Sequence, residues 1–302
     1  MSTSVLRNLR RHHHSEFDAS ELVDAKNGRA LSVCLPARNE ASTIGPIVEV
    51  IRDRLVRSLP LVDEILVIDD HSSDDTAAVA RAAGARVLEA SSILANYGEG
   101  HGKGEVLWKS VYACEGDLIV WCDADIRQFG PRFVTGVAGP LITDPQVGFV
   151  KGFYARPSDQ EGGGGRVTEL VARPLLSMLL PHLAGVTQPL SGEYGGRRDV
   201  LERLRFVEGY GVDVALLIDA VALIGADAVV EVDLDVRLHR NRPLDELSPQ
   251  ATAVAQTILR RALPDVIGPA VELRRPGHDA LTIEVRERPP LVEIDEYLAR
   301  TA

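Results

Sequence analysis

The stretch "DEILVIDDHSSDDTAAVARAAGARVLEA" (residues 63–90) sets the architecture. Residues 64–68 run almost wholly apolar and read as a strand buried on both faces. Asp69 and Asp70 stand at its end, Ser73 or Asp74 offers an N-cap, and Gly84 stops the helix that follows. Residues 85–89 then read as the next strand. A strand, helix and strand of these lengths form a parallel crossover unit. The flanking segments repeat it. "ALSVCLPARNE" (30–40) is an apolar strand broken by Pro36, and "ASTIGPIVEVIRDRLV" (41–56) follows with helical spacing of Ile44, Ile47, Val48 and Ile51. "GHGKGEVLWKSVYACEGDLIVWCDAD" (100–125) adds a helix and a strand. The expected class is α/β, with a mainly parallel Rossmann-like sheet flanked by helices. In such sheets ligands bind beyond the carboxyl ends of the strands. That places Pro36 to Glu40, Asp69 with Asp70, and Asp123 to Asp125 around one crevice.

Composition narrows the partners. The 302 residues carry 44 acidic against 33 basic side chains, a formal net charge of -11, so nucleic acid is not expected as a partner. The three cysteines, Cys34, Cys114 and Cys122, lie in apolar or helical segments without a paired framework, which reads as a reducing cytoplasm. No run suits a signal peptide or a spanning helix, so a cytoplasmic protein with no membrane span is expected. "RRHHHSEF" (10–17) reads as a solvated arm rather than a metal site.

The second half changes character. "VGFVKGFYARP" (147–157) reads as a strand, and "EGGGGRVTELVARPLLSMLLP" (161–181) as a glycine loop running into a helix. "EGYGVDVALLIDAVALIG" (208–225) reads as a helix ending at Gly225. "AVVEVDLDVRLHRNRPLDEL" (228–247) reads as a strand finishing near His239. No linker divides the halves, which favours one continuous domain. The expected organisation is an arm (1–28), a half that carries the crevice of strand ends (29–125), a second half of the same domain (126–243) and a peripheral C-terminal helix and tail (244–302).

Two carboxylates delivered to one crevice, Asp123 and Asp125, repel unless a cation sits beside them. A Mg²⁺ or Mn²⁺ ion, which keeps waters and bridges to substrate phosphates, would meet that need. Acids at a strand end also serve as turn and cap residues, so the pair alone is not specific. Lys103, between Gly102 and Gly104 at a helix start, adds a cation where backbone N–H groups favour phosphate.

Taken together, "LPARNE", "VIDDHSSDDT", "GKGEVLWKS", "CDADI", "GGGGRVTELVARPLL", "QPLSGEYGGRR", "GYGVDVALLID" and "RLHRNRPLDEL" resemble the glucosyl-3-phosphoglycerate synthase family, from about Gly28 to Leu247. The first four motifs are shared with many GT-A glycosyltransferases; the glycine-arginine and RNRPLDEL segments are narrower. The resemblance implies a GT-A fold with an acceptor subdomain, and retaining transfer of a hexose from a nucleotide sugar to the 2-hydroxyl of 3-phosphoglycerate. It implies Pro36, Ala37, Asn39, Glu40, Asp69, Asp70, Lys103, Asp123 and Ala124 for the nucleotide sugar. Gly165, Arg166, Val167, Thr168, Tyr210 and Asn241 would hold the acceptor. Asp125 and His239 would hold the divalent metal, and Asp213, Lys103 and Asp125 would act in catalysis. It also suggests a homodimer.

Arg38, the Asp70–His71 pair and Asp213, where a Glu is usual, depart from the pattern. They leave UDP-glucose and GDP-mannose both open as donors. Two readings from other classes stand beside it. An Asp-x-Asp phosphohydrolase would carry its pair on the first strand, unlike this chain. A non-catalytic nucleotide-sugar binder would have no use for an acceptor loop at 165–168.

Overall fold

The computed structural model describes residues 9–156, 165–238 and 244–301. In chain order the elements begin with β1 (Arg10–His13), α1 (Ala19–Ala25), β2 (Leu31–Ala37), α2 (Ile44–Ile51), β3 (Glu64–Asp69), α3 (Thr76–Ala83) and β4 (Arg86–Glu89). They continue with α4 (Lys103–Ala113), β5 (Leu118–Trp121), α5 (Arg132–Thr143), β6 (Phe149–Ala155), α6 (Arg173–Leu179), β7 (Tyr194–Arg197), α7 (Arg198–Leu201) and β8 (Phe206–Val207). The last are α8 (Val212–Ile224), β9 (Val229–Val236), α9 (Leu244–Ala262), β10 (Ala270–Leu273), β11 (Leu281–Glu284), β12 (Glu287–Arg288) and α10 (Asp295–Thr301).

One eight-stranded sheet runs β1-β9-β6-β7-β5-β2-β3-β4. Only β7 is antiparallel to its neighbours, inserted between β5 and β6. The parallel core rests on strands apolar on both faces. Along β3, Leu66 and Ile68 pack into one core layer with Trp108 and Trp121, whereas Ile65 and Val67 face the other with Ile47 and Val48. Each such buried side chain contributes about 1.5–3 kcal/mol. Gly84 ends α3 at φ 108, as its position predicts. Among the described residues no helix is long and apolar enough to cross a membrane.

Two sequence expectations are corrected. The arm is not free in solvent: Arg10–His13 pair in parallel with Val230–Asp233, adding an edge strand on which Arg10 and Arg11 stay exposed. Its following turn presses on α5, where a side chain at Gly139 would meet the Phe17 ring at 2.2 Å. Nor is the whole C-terminal tail peripheral. The β10–β11 hairpin is largely exposed, but β12 pairs with β8, and Leu291 and Ile294 are buried. Arg288 reaches the fully buried Glu105 of α4, with Nε–Oε2 at 2.6 Å.

Candidate active site

Beyond the carboxyl ends of β2, β3 and β5 lies a cleft of about 550 Å³. Of the residues singled out in sequence, Pro36, Ala37, Glu40, Asp70, Lys103, Asp123, Ala124, Asp125, Gly165, Arg166, Val167, Thr168, Tyr210 and Asp213 line it. Asn39 and Asp69 do not. Asn39, at φ 57, accepts the Ser73 N–H at 2.8 Å, and Asp69 accepts the Ser72 hydroxyl. Both are committed to tying the loops after β2 and β3 together. His239 and Asn241 lie outside the described residues.

The acid pair lies beyond the strand and not on it. β5 ends at Trp121, and Asp125 sits in the turn that follows. The two carboxylates meet on Arg237 instead: its Nη2 stands 3.0 Å from Asp123 Oδ2 and 2.5 Å from Asp125 Oδ1. Lys103, the first residue of α4, donates to Asp123 Oδ1 at 2.8 Å and lies 3.1 Å from Asp213 Oδ1. The repulsion for which a metal was expected is therefore met in this structure by two side-chain cations. Burial works to raise the Asp123 carboxyl, but Lys103 and Arg237 override it and hold it far below the usual carboxylate range. Burial works against the Lys103 charge, and Asp123 and Asp213 outweigh it, raising its pKa well above normal. This close approach requires Gly192, since a Cβ there would stand 1.9 Å from Asp123 Oδ2.

Behind this layer is a second one that sequence reasoning missed. Arg237 Nη1 donates to the Tyr154 hydroxyl at 2.6 Å and lies 3.3 Å from Glu193 Oε1. Glu193 is fully buried, and burial raises its pKa against the pull of Arg237. The Tyr194 hydroxyl donates to Asp213 Oδ1 at 2.8 Å. Lys151 lies under the Tyr194 ring, 4.0 Å from its centroid, and donates to the Ser191 and Asp213 carbonyls. Burial brings its pKa down to about 8. Glu193 and Tyr194 sit inside the quoted "QPLSGEYGGRR", and Arg237 opens "RLHRNRPLDEL". A charged residue within a run that becomes a central strand, as in "SGEYGG", was the available signal.

Where the cleft meets β3, Asp70 accepts the Gly102 N–H at 3.0 Å and the His71 Nδ1–H at 2.9 Å, joining the end of β3 to the start of α4. Glu40 is half-buried, and its pKa is raised by burial and then by Asp125 and Asp123. The residues present suit a hard divalent cation. Asp125 is partly exposed to the cleft, and among the described residues nothing hydrogen-bonds its Oδ2. Its neighbours Glu40 and Asp123 are also oxygen donors. At the opposite end Arg156, Arg166 and the Gly165 loop supply donors for a second anionic ligand, and Leu247, Gln250 and Val254 of α9 close that wall.

A mainly parallel sheet with one reversed strand, and a carboxylate pair beyond a strand end beside a cleft lined by Lys103, Arg156, Arg166 and Arg237, are the arrangement of a GT-A glycosyltransferase. Residues 32–204 match the family model described as glycosyl transferase family 2. The glucosyl-3-phosphoglycerate synthase of Petrotoga mobilis is 41% identical, over 98% of this chain and 97% of that protein. The Mycobacterium tuberculosis glucosyl-3-phosphoglycerate synthase, solved with Mn²⁺, UDP-glucose and phosphoglyceric acid, aligns at TM-score 0.86 and 42% identity, covering 95% of this chain and 99% of that one. The mannosyl-3-phosphoglycerate synthase of Rubrobacter xylanophilus aligns at TM-score 0.86 and 36% identity, covering 94% and 97%. The chain belongs to the glucosyl-3-phosphoglycerate synthase family, and is a glycosyltransferase.

Proposed function

We propose that this chain transfers glucose from UDP-glucose to the 2-hydroxyl of 3-phosphoglycerate with retention at the anomeric carbon. The observation that carries this reading is the position of Lys103, held between Asp123 and Asp213 at the centre of the cleft. Pro36, Ala37, Glu40, Asp70 and Ala124 bound the nucleoside end. Lys103 points its charge at the position of the diphosphate, which gains negative charge as the glycosidic bond breaks. Arg156, Arg166, Thr168 and the backbone around Gly165 receive the phosphate and carboxylate of the acceptor, with Tyr210 beside them. Asp213, fixed by Lys103 and the Tyr194 hydroxyl, positions the sugar. The acceptor oxygen bonds to C1 on the face the diphosphate leaves, and its proton passes to a departing phosphate oxygen. Asp125, with His239, would hold a Mg²⁺ or Mn²⁺ ion, which when bound supplies Lewis-acid charge for the leaving diphosphate.

The test is nucleotide release, with and without 3-phosphoglycerate, from UDP-glucose, ADP-glucose, GDP-glucose and GDP-mannose. Acceptor-dependent UDP release from UDP-glucose supports the reading. Preference for GDP-mannose overturns the donor assignment. Release that does not need the acceptor supports a hydrolase. Replacing Asp125 by Ala should abolish turnover and weaken Mn²⁺ binding, read independently by electron paramagnetic resonance. In this reading residues 29–125 serve the nucleotide sugar and 126–243 the acceptor. Three buried thiols support a reducing cytoplasm as the compartment. A homodimer is supported by Leu170 and Met178, 73% and 69% exposed near and on α6. Sedimentation equilibrium giving a monomer at micromolar concentration would rule it out.

A further inference from the structure

Far from the cleft, the segment first read as a solvated arm places two imidazoles on one carboxylate. His13 Nε2 lies 3.0 Å from Asp235 Oδ1, and His14 Nε2 lies 2.6 Å from Asp235 Oδ2. All three ligating atoms fall within 4.8 Å of one another. Neighbouring residues on a strand point to opposite faces, so His13 and His14 could not share a partner if β1 continued. It does not: the strand ends at His13, and a 3₁₀ turn over His14–Glu16 swings His14 to the same side. The two rings stand 4.5 Å apart.

The partner is held with equal care. Asp235 adopts φ 64, a left-handed conformation that an ordinary side chain rarely takes, and its N–H donates to Asp233 Oδ1 at 2.9 Å. The ladder register of His13 against Asp233 fixes the distance between the segments. His13 Nδ1 lies 2.7 Å from Ser15 Oγ, the outer contact that orients a ligating imidazole. His14 is backed by Gly136 of α5, where a Cβ would come within 3.1 Å of its own.

We propose that His13, His14 and Asp235 form a structural site for a zinc-class transition metal that pins the first strand to the end of β9. Two imidazoles and one carboxylate suit Zn²⁺, with water completing the shell, and are richer in nitrogen than the cleft, where Asp125 would be joined by a single imidazole. Ligand atoms in a tetrahedral zinc shell stand about 3.3 Å apart, so the 3.0 Å contact of His13 would open by about 0.3 Å and the 2.6 Å contact of His14 by about 0.7 Å. The consequence reaches the cleft, because Asp235 lies two residues before Arg237 on the same strand exit. Arg132 already braces that exit, donating to the Leu234 and Val236 carbonyls at 3.0 and 2.8 Å.

Equilibrium dialysis of chelator-stripped Asp125→Ala protein, the parent for this test because it lacks the cleft's carboxylate ligand, against Zn²⁺ tests this. The expected result is one Zn²⁺ per chain, with at least tenfold weaker uptake by Asp235→Asn and His14→Gln. Half-buried His13→Gln, outside the apolar core, should lose uptake in the same way. His71→Gln, in the group Asp70, His71 and His101 beside the cleft, should bind as the parent does. X-ray absorption should show imidazole nitrogen ligands, and Zn²⁺ should raise the melting temperature of the parent alone. Unchanged uptake in the Asp235 and His14 variants, or none in the parent, would overturn the proposal and leave a hydrogen-bonded clasp.

Discussion

Arg237 joins the two layers of the site: it faces Asp123 and Asp125 with one nitrogen, and Tyr154 and Glu193 with the other. Replacing it with Met should lower kcat about 100-fold, because the acid pair loses its fixed geometry. It should also destabilise the fold by about 3 kcal/mol, since Glu193 is left as an uncompensated buried charge. Steady-state kinetics and urea unfolding read the two effects separately; Arg237→Lys should not rescue both, lacking the fork. Lys151 gives a pH signature. Its folded pKa of about 8 lies below the ordinary 10.5, so the unfolded chain holds more protons between those values and stability rises with pH there. From pH 7.5 to 9.5 the parent should gain about 2 kcal/mol relative to Lys151→Met; a flat difference would mean Lys151 titrates normally. Lys103, Asp123 and Asp125 were legible in sequence because each sits at a strand end or helix start that periodicity locates. Arg237 was not, because its contact with Asp125 spans 112 residues and depends on which strands become neighbours.

The helix α4 shows how elements carry the site. Its first residue is Lys103, and Gly104 lets the backbone pass β8 so closely that a Cβ would stand 1.7 Å from the Val207 carbonyl oxygen. Its far side is held by the tail: Glu105 receives Arg288 and Lys109, and the Trp108 indole donates to the Pro289 carbonyl at 2.8 Å. Arg288→Met should therefore cost about 3 kcal/mol in urea unfolding, although Arg288 is remote from the substrates. A loss below about 0.5 kcal/mol would mean that Lys109 alone satisfies Glu105. The helices α2, α3, α4, α6, α8 and α9 and the parallel strands β2 to β6 and β9 were legible, Gly84 and Gly225 included, whereas α1, α5, α7 and α10 were not read. The edge strand β1 and the stitched tail were not: a polar strand of four residues carries no apolar alternation, and β12 pairs only through two residues of β8.

Across the whole molecule, β7 reverses direction between β5 and β6, and so brings Glu193 and Tyr194 from the second half of the chain up behind the acid pair that follows β5. The cleft is completed by α9, which the sequence reading left outside the catalytic body. One charge network thus spans the cleft, with Lys103 joining Asp123 to Asp213. The most direct check follows the transferred carbon. UDP-glucose labelled with ¹³C at C1, incubated with 3-phosphoglycerate and Mg²⁺ or Mn²⁺, should yield one product whose labelled carbon is α-linked to the glycerate C2 oxygen in the nuclear magnetic resonance spectrum. A β-linked product, label released as free glucose, or attachment at another oxygen would contradict the account.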